Sequence, residues 1–147
     1  REIDRARRIG RSIAVVLLDV DHFKKINDQY GHEAGDIVLK HVADLMKDFR
    51  SGSDIVCRFG GEEFVLILPD MSPQNLSDRM NTLKHNIEKM KITYRGEQLP
   101  VTTASIGISC FPGDGMDRDA LLRAADLAMY RAKQNGRNRI EWSNAGA

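Results

Sequence analysis

Three carboxylates are the first candidates for chemistry. Asp19 ends the apolar run IAVVLL that starts at Ile13, and Glu62 and Glu63 follow Gly60 and Gly61 in the stretch CRFGGEEFVLIL, from Cys57 to Leu68. Gly-Gly suits a two-residue hairpin turn, because glycine tolerates the positive φ such turns need. The adjacent acids are harder to explain, since like charges repel and strand interiors disfavour Glu. Clustered carboxylates at strand ends are unfavourable unless a cation neutralises them. Hard oxygen ligands point to Mg²⁺ or Mn²⁺, and Mg²⁺ usually recruits substrate phosphates as further ligands. A solvated, negative sheet edge is the bland alternative. Asp19 with Glu62 favours a metal, whereas Asp21 reads equally well as a ligand or a helix cap. The run DVDHFKKINDQY also looks like the start of a calcium loop, but Lys24 stands where glycine is required and Tyr30 where a bidentate Glu is required.

Phosphates need donors. Phe23, Lys24 and Lys25 fall where backbone N–H groups at a helix start can face an anion. Lys133 and Arg137 are four apart at the expected end of the last helix and can share one face. Their alternative duty is a favourable interaction with the helix C-terminus. Asn27 and Asp36 flank the turn YGHEAG. A carboxylate can accept both N1–H and the exocyclic amine of guanine, and an amide can meet the mixed edge that remains. Turn and capping duty is the alternative for both.

These residues must be positioned by regular elements. The run from Ile13 reads as a buried strand. The opening REIDRARRIG reads as a charged helix end closed by Gly10. A short helical stretch after Asp21 stops at Gly31. Between Glu33 and Phe49 a helix is marked by Val38, Val42, Leu45, Met46 and Phe49. A hairpin follows from Asp54 to Leu68, ended by Pro69. Pro73 opens a helix whose inward face is Leu76, Met80, Leu83, Ile87 and Met90. ITYRGEQL suggests a small hairpin around Gly96, and VTTASIGIS a main strand from Val101. Asp117 caps a helix to about Asn135, with Leu121, Ala124, Ala128 and Ala132 inward and Gly136 as its stop. NRIEW suggests a last short strand. The order is β-α-β-β-α-β, the split βαβ arrangement, followed by a helix and an edge strand. By analogy with that arrangement, the first strand lies antiparallel to the third. Asp19 would then face Glu62 and Glu63.

The 147 residues suit one domain with a real core, and 41% hydrophobic with 29% charged residues argues against global disorder. A net charge of +1 gives no electrostatic case for long nucleic acid or a membrane surface. No stripe of basic residues with interleaved aromatics supports a DNA-directed role. The two cysteines, Cys57 and Cys110, read as buried free thiols, and the four histidines lack zinc-type spacing. No signal peptide or membrane-length apolar run is visible, so a reducing cytoplasmic setting is expected.

Together, DVDHFKKIND, GHEAGD, RFGGEEF, SIGIS, AADLAMYRAK and NGRN resemble the GGDEF family of diguanylate cyclase domains, in a GGEEF variant, from about Ile13 to Ile140. The resemblance implies an α/β (α+β), palm-like domain of the nucleotidyl-cyclase type. Its βαββαβ core would form a central antiparallel or mixed sheet flanked by helices. The implied reaction condenses two GTP into cyclic di-GMP and pyrophosphate, making a bacterial second messenger. By motif position, Asp19 and Glu62 would hold two Mg²⁺ or Mn²⁺ per GTP through their side chains, and Val20 through its carbonyl. Glu63 would assist the metals or deprotonate the 3′-hydroxyl. Gly61 would let the turn approach the nucleotide closely. Asn27 and Asp36 would read guanine, while Phe23, Lys24, Lys133 and Arg137 would hold the triphosphate. A homodimer is implied for turnover, at least transiently, with no polymeric nucleic acid and no membrane contact by this domain.

Residues 1–147 read as a single catalytic domain excised from a longer protein. The chain opens in mid-helix and lacks the family's preceding Asp-x-Leu-Thr segment. An upstream sensory or dimerising part, which could be membrane-anchored, is expected. The family's inhibitory product site, Arg-x-x-Asp, corresponds to SGSD: Asp54 is present, but Ser51 replaces the arginine and Arg50 is one place out of register. Serine cannot replace a bidentate guanidinium contact, so this site is expected to be non-functional. Three other readings compete with the cyclase. They are a non-enzymatic module binding GTP or a protein partner, a cyclic di-GMP receptor, and another palm-type nucleotidyl transferase. All motif carboxylates are present, which favours activity.

Overall fold

The computed structural model describes residues 12–143. The expected helix ending at Gly10 lies outside them. Strand β1 (Ile13–Val20) is buried along its whole length. It is the middle of a five-stranded sheet of order β2-β3-β1-β6-β7. Strands β2 (Ile55–Gly60) and β3 (Glu63–Pro69) form the hairpin, β6 (Ala104–Phe111) pairs antiparallel with β1, and β7 (Arg139–Trp142) adds a parallel edge. The helices are α1 (Phe23–Tyr30), α2 (His32–Phe49), α3 (Pro73–Glu88) and α4 (Arg118–Gln134). A separate ribbon, β4 (Thr93–Tyr94) with β5 (Glu97–Gln98), turns at Gly96. Its Tyr94 hydroxyl donates to Glu33 Oε1 at 2.6 Å, which ties the ribbon to the start of α2. Among the described residues no helix is long and apolar enough to cross a membrane.

Side chains alternate across a strand, so β1 presents two apolar rows. Ala14, Val16, Leu18 and Val20 join the core built with Val38, Val42 and Met46 of α2 and Leu76, Met80, Leu83 and Ile87 of α3. Ile13, Val15 and Leu17 pack on the other face with Val65, Leu121, Ala125 and Met129. Each fully buried Leu, Ile or Met contributes about 1.5–3 kcal/mol, so these rows fix which face every β1 residue takes.

Several boundaries differ from the sequence expectation. Strand β6 begins at Ala104, the partner of Val20, because β1 ends there; just before it the Asp21 N–H donates to the Thr103 carbonyl at 2.9 Å. Val101, ahead of the strand, is 66% exposed. On α4 the buried positions are Leu121, Ala125, Ala128, Met129 and Ala132, so Ala125 takes the place expected for Ala124. Helix α3 stops at Glu88, and Met90 packs on the core from beyond its end. Cys57 is exposed, not buried, because β2 is an edge strand with little above it. Cys110 is half-buried, and burial pushes its thiol up to about 11.

Candidate active site at the C-terminal end of the first strand

Strand register brings the acids together. Asp19 stands directly opposite Glu63, and the Val20 N–H donates to the Glu62 carbonyl at 3.1 Å. Directly opposed residues share one face of a sheet. Asp19 extends the row Ile13, Val15, Leu17, the face packed against α4. On α4, Leu121, Ala125 and Met129 are spaced by four, and Lys133 is the next member of that stripe. Row and stripe converge, and Lys133 Nζ lies 2.7 Å from Asp19 Oδ2.

The helix can reach because β6 is thin beneath it. A Cβ on Gly107 would collide with the Ala125 carbonyl and the Met129 backbone nitrogen. Ser109 Oγ donates to the Leu121 carbonyl at 2.7 Å. The small row Ser105, Gly107, Ser109 therefore seats the α4 backbone directly on the sheet, which is the physical content of the SIGIS segment.

Asp19 is only 4% exposed. Burial pushes its carboxyl above the usual range, the Lys133 ammonium pulls it partly back, and the Glu62 and Asp21 charges push it up again. Glu63 is raised as well, first by burial and then by Asp19 and by Asp126 of α4. Among the described residues no three Asp, Glu, His or Cys side chains form a ready-made metal cage. The donor set is nevertheless all oxygen: two carboxylates and a strand-end carbonyl. That fits a hard divalent ion completed by substrate phosphates better than one held wholly by protein. The Lys133 ammonium supplies the positive charge that Asp19 meets within the chain.

The turn differs from the Gly60–Gly61 expectation. Gly60 pairs with Glu63, so the loop consists of Gly61 and Glu62, and the register shifts between Arg58 and Gly60. Neither glycine has a positive φ, and open space surrounds the Cβ position of each. Their lack of a side chain is therefore not required by this turn's backbone or packing. Arg58, which sequence reasoning passed over, clamps the loop by donating to the Gly61 carbonyl from Nε at 2.9 Å and Nη2 at 2.7 Å.

Phe23 and Lys24 sit at the start of α1, as expected, but the Lys25 N–H is taken by the His22 carbonyl at 3.0 Å. Asn27 Oδ1 is buried without a hydrogen-bond partner. It lies against Gly35, where a Cβ would strike it, one residue from Asp36. Asp36 lines a cleft of about 530 Å³ with Leu39, Lys40, Lys47, Arg58 and Phe64. The cleft thus joins α2 to the clamped turn.

Arg137 does not share a helical face with Lys133. Helix α4 ends at Gln134, and the Gly136 and Arg137 N–H groups return to the Lys133 and Ala132 carbonyls at 3.4 and 2.9 Å. This Schellman closure, with Gly136 at φ 123°, turns the chain before Arg137. Asp21, for which two duties were open, accepts from Thr103 Oγ1 at 2.7 Å, Ser105 Oγ at 2.6 Å and the Asn138 N–H at 3.0 Å. Three donors satisfy it as a structural acceptor. Asp54 lies apart from this site. Arg79 Nη2 donates to its Oδ2 at 2.8 Å and the Ser51 N–H at 3.1 Å.

Comparison with known proteins agrees with this geometry. The family model described as "Diguanylate cyclase, GGDEF domain" matches residues 1–139. The chain is 39% identical over 132 residues to Diguanylate cyclase A of Treponema denticola, covering 90% of this chain and 35% of that protein. It is 40% identical to Diguanylate cyclase DgcP of Pseudomonas aeruginosa, covering 96% of this chain and 21% of that one. It is also 38% identical to the Cyclic di-GMP phosphodiesterase NbdA of Pseudomonas aeruginosa, covering 97% of this chain and 18% of that protein. The chain thus spans about a third or less of these relatives. The GGDEF domain of DgcB from Caulobacter crescentus, solved in complex with c-di-GMP, superposes with a TM-score of 0.89 at 31% identity, covering 97% of this chain and 86% of that one. The active GGEEF domain of a diguanylate cyclase from Vibrio cholerae gives 0.88 at 29% identity, covering 98% and 91%.

Proposed function

Since the chain belongs to the GGDEF family of diguanylate cyclase domains, we propose that it joins two GTP molecules into cyclic di-GMP with release of two pyrophosphates. The observation that carries this reading is the convergence of Asp19, Glu62 and Glu63 at one strand end, with Lys133 as the counter-charge. Asp19, Glu62 and the Val20 carbonyl would hold Mg²⁺ or Mn²⁺, two per GTP. When bound, these ions polarise the α-phosphate and neutralise the leaving pyrophosphate.

The chain's own residues do the rest. Glu63, held above the ordinary carboxylate range by burial and by Asp19, takes the proton of the 3′-hydroxyl. The 3′-oxygen bonds to the α-phosphorus of the other GTP while the bond to the bridging β-phosphate oxygen breaks. Repeating this step closes the ring. Lys133, Arg137, Lys24 and the N–H groups of Phe23 and Lys24 hold the triphosphate. The Asp36 carboxylate accepts from guanine N1–H and its amine. Adenine, whose N1 is an acceptor, is rejected there, and the Asn27 amide, whose Oδ1 has no partner within the chain, meets the mixed edge of guanine that remains. Open space around Gly61 lets the turn lie against the nucleotide. Positioning and electrostatics supply most of the rate.

One domain holds one GTP, so turnover needs two copies face to face, at least transiently. A GTP substrate supports a cytoplasmic setting for the domain. Upstream sensory or dimerising segments of a longer protein would control the encounter. The test is product analysis of concentrated protein with GTP and Mg²⁺ or Mn²⁺, beside Glu62→Ala and Glu63→Ala. Cyclic di-GMP from the native chain alone supports the reading. A second reading, a GTP-binding regulatory module, is favoured by the similarity to NbdA, a protein named as a phosphodiesterase. GTP bound without product, even after fusion to a dimeric coiled coil, would establish it.

A further inference from the structure

The turn after α4 is unusual in its backbone. Gly136, Arg137 and Asn138 have φ of 123°, 63° and 48° in succession. A left-handed conformation disfavours a non-glycine residue by roughly 1–2 kcal/mol, so two in a row need compensation. The compensation is visible. The Arg137 N–H is held by the Ala132 carbonyl at 2.9 Å, and its own carbonyl accepts from Arg139 Nε at 3.2 Å. The next N–H, of Asn138, donates to Asp21 Oδ2 at 3.0 Å. The Asn138 amide is gripped from α3, where Lys84 Nζ donates to its Oδ1 at 3.3 Å and Glu88 Oε2 accepts from its Nδ2 at 3.0 Å. Asp21 is itself immobilised by Thr103 and Ser105. Of the two residues in the left-handed region, Asn138 is half-buried and Arg137 has its side chain exposed.

We propose that Asp21 and Asn138 are positioning residues that aim Arg137 at the nucleotide, and that Asp21 is not a metal ligand. The proposal rests on the triphosphate role given to Arg137 above. It explains the second acid of the DVD run by a different chemistry from the first. Asp19 meets Lys133 and the other acids, whereas Asp21 spends its oxygens on three protein donors from β6, the segment before it and the α4 turn. Both peptide groups flanking Arg137 are thereby tied, so the guanidinium starts from a fixed backbone. Less side-chain and loop freedom is then lost when an anion is engaged.

The test is a double-mutant cycle read as affinity for a non-hydrolysable GTP analogue by calorimetry, with cyclase kinetics alongside. Arg137→Ala is expected to weaken binding about tenfold, as loss of a charge-assisted contact does. Asn138→Ala and Asp21→Asn should weaken it about three- to tenfold in the native background and not at all in the Arg137→Ala background. They should raise KM for GTP more than they lower kcat; Asn138→Ala should leave the divalent-ion titration midpoint unchanged, and Asp21→Asn should move it far less than Asp19→Asn does. Asn138→Gly keeps the left-handed backbone and its N–H. It should fall between Ala and the native residue, which keeps the test open where Ala fails to fold. Equal losses in both backgrounds would overturn the coupling, and a metal requirement raised as far in Asp21→Asn as in Asp19→Asn would overturn the positioning role of Asp21. Unchanged analogue affinity in Arg137→Ala itself would instead remove the triphosphate reading on which the proposal stands.

Discussion

Lys133 Nζ sits 2.7 Å from Asp19 Oδ2, at the point where the buried stripe of α4 meets the buried row of β1. In metal-free protein this ammonium is what makes an ionised Asp19 tolerable. Lys133→Met should therefore lower stability by about 1–3 kcal/mol in chelator-containing buffer, through the unpaired buried carboxylate. Added Mn²⁺ should restore most of the loss, since a divalent ion meets the same charge. Urea melts of both proteins with and without metal test this. Coincident metal-free curves would show that the pair contributes nothing.

Glu63 gives a pH dependence whose sign is fixed. Burial and Asp19 raise its folded pKa above the ordinary value. Stability from the protonated form is fully present below the unfolded pKa and is lost as pH rises through the folded one. Glu63→Gln should therefore match the wild type in metal-free buffer at about pH 4 and exceed it at about pH 7. Divalent metal should narrow the difference at neutral pH. Thermal melts across that range decide it, and a variant less stable than wild type at neutral pH would contradict the sign.

Gly107 tests how the site is held at its distance. A Cβ there meets the α4 backbone at Ala125 and Met129 rather than a side chain able to move away. Gly107→Ala should destabilise by about 1–3 kcal/mol. It should also lower activity beyond Ser109→Ala, because it lifts the helix that carries Lys133. Ser109→Ala removes one buried hydrogen bond to Leu121, worth about 1 kcal/mol, without adding volume. Melting and cyclase rates of the two variants, compared under one condition, separate packing from site geometry.

The order of elements, the antiparallel pairing of β1 with β3 and the meeting of Asp19 with Glu63 were legible in the sequence. Hydrophobic periodicity and the short loop determine the elements locally, whereas the pairing of β1 with β3, and with it the meeting of Asp19 and Glu63, came from analogy with the split βαβ arrangement. What was not legible depends on neighbours. The loop moved by one residue because the register shifts near Phe59, a bulge that alternation does not announce. Lys133 was placed with the phosphates and not with Asp19, since its stripe through Ala125 and Met129 runs beside the expected Ala124, Ala128, Ala132 face. Gly136 was legible as the stop of α4, but the four-residue spacing of Lys133 and Arg137 carries their expected shared face across that stop, where the chain turns. The partners of Asp21 lie 82, 84 and 117 residues away, beyond any local pattern.

Asp54 supplies the last prediction. Its Oδ2 accepts from Arg79 Nη2 and from the Ser51 N–H, and the same guanidinium lies 4.6 Å over the Phe49 ring and donates to the Phe49 carbonyl at 3.3 Å. The carboxylate is thus engaged inside its own domain, 6% exposed at the side chain, and Ser51 brings no second guanidinium to that stretch. Product inhibition through Asp54 should be weak: micromolar cyclic di-GMP should leave initial rates nearly unchanged. Asp54→Ala should not alter that response. It should lower stability by about 3–5 kcal/mol, because it leaves the mostly buried Arg79 without its anion. Rates measured with and without added product, together with urea melts of the variant, check both parts. Strong inhibition of the native chain that Asp54→Ala relieves would mean that Arg79 yields the carboxylate to the product.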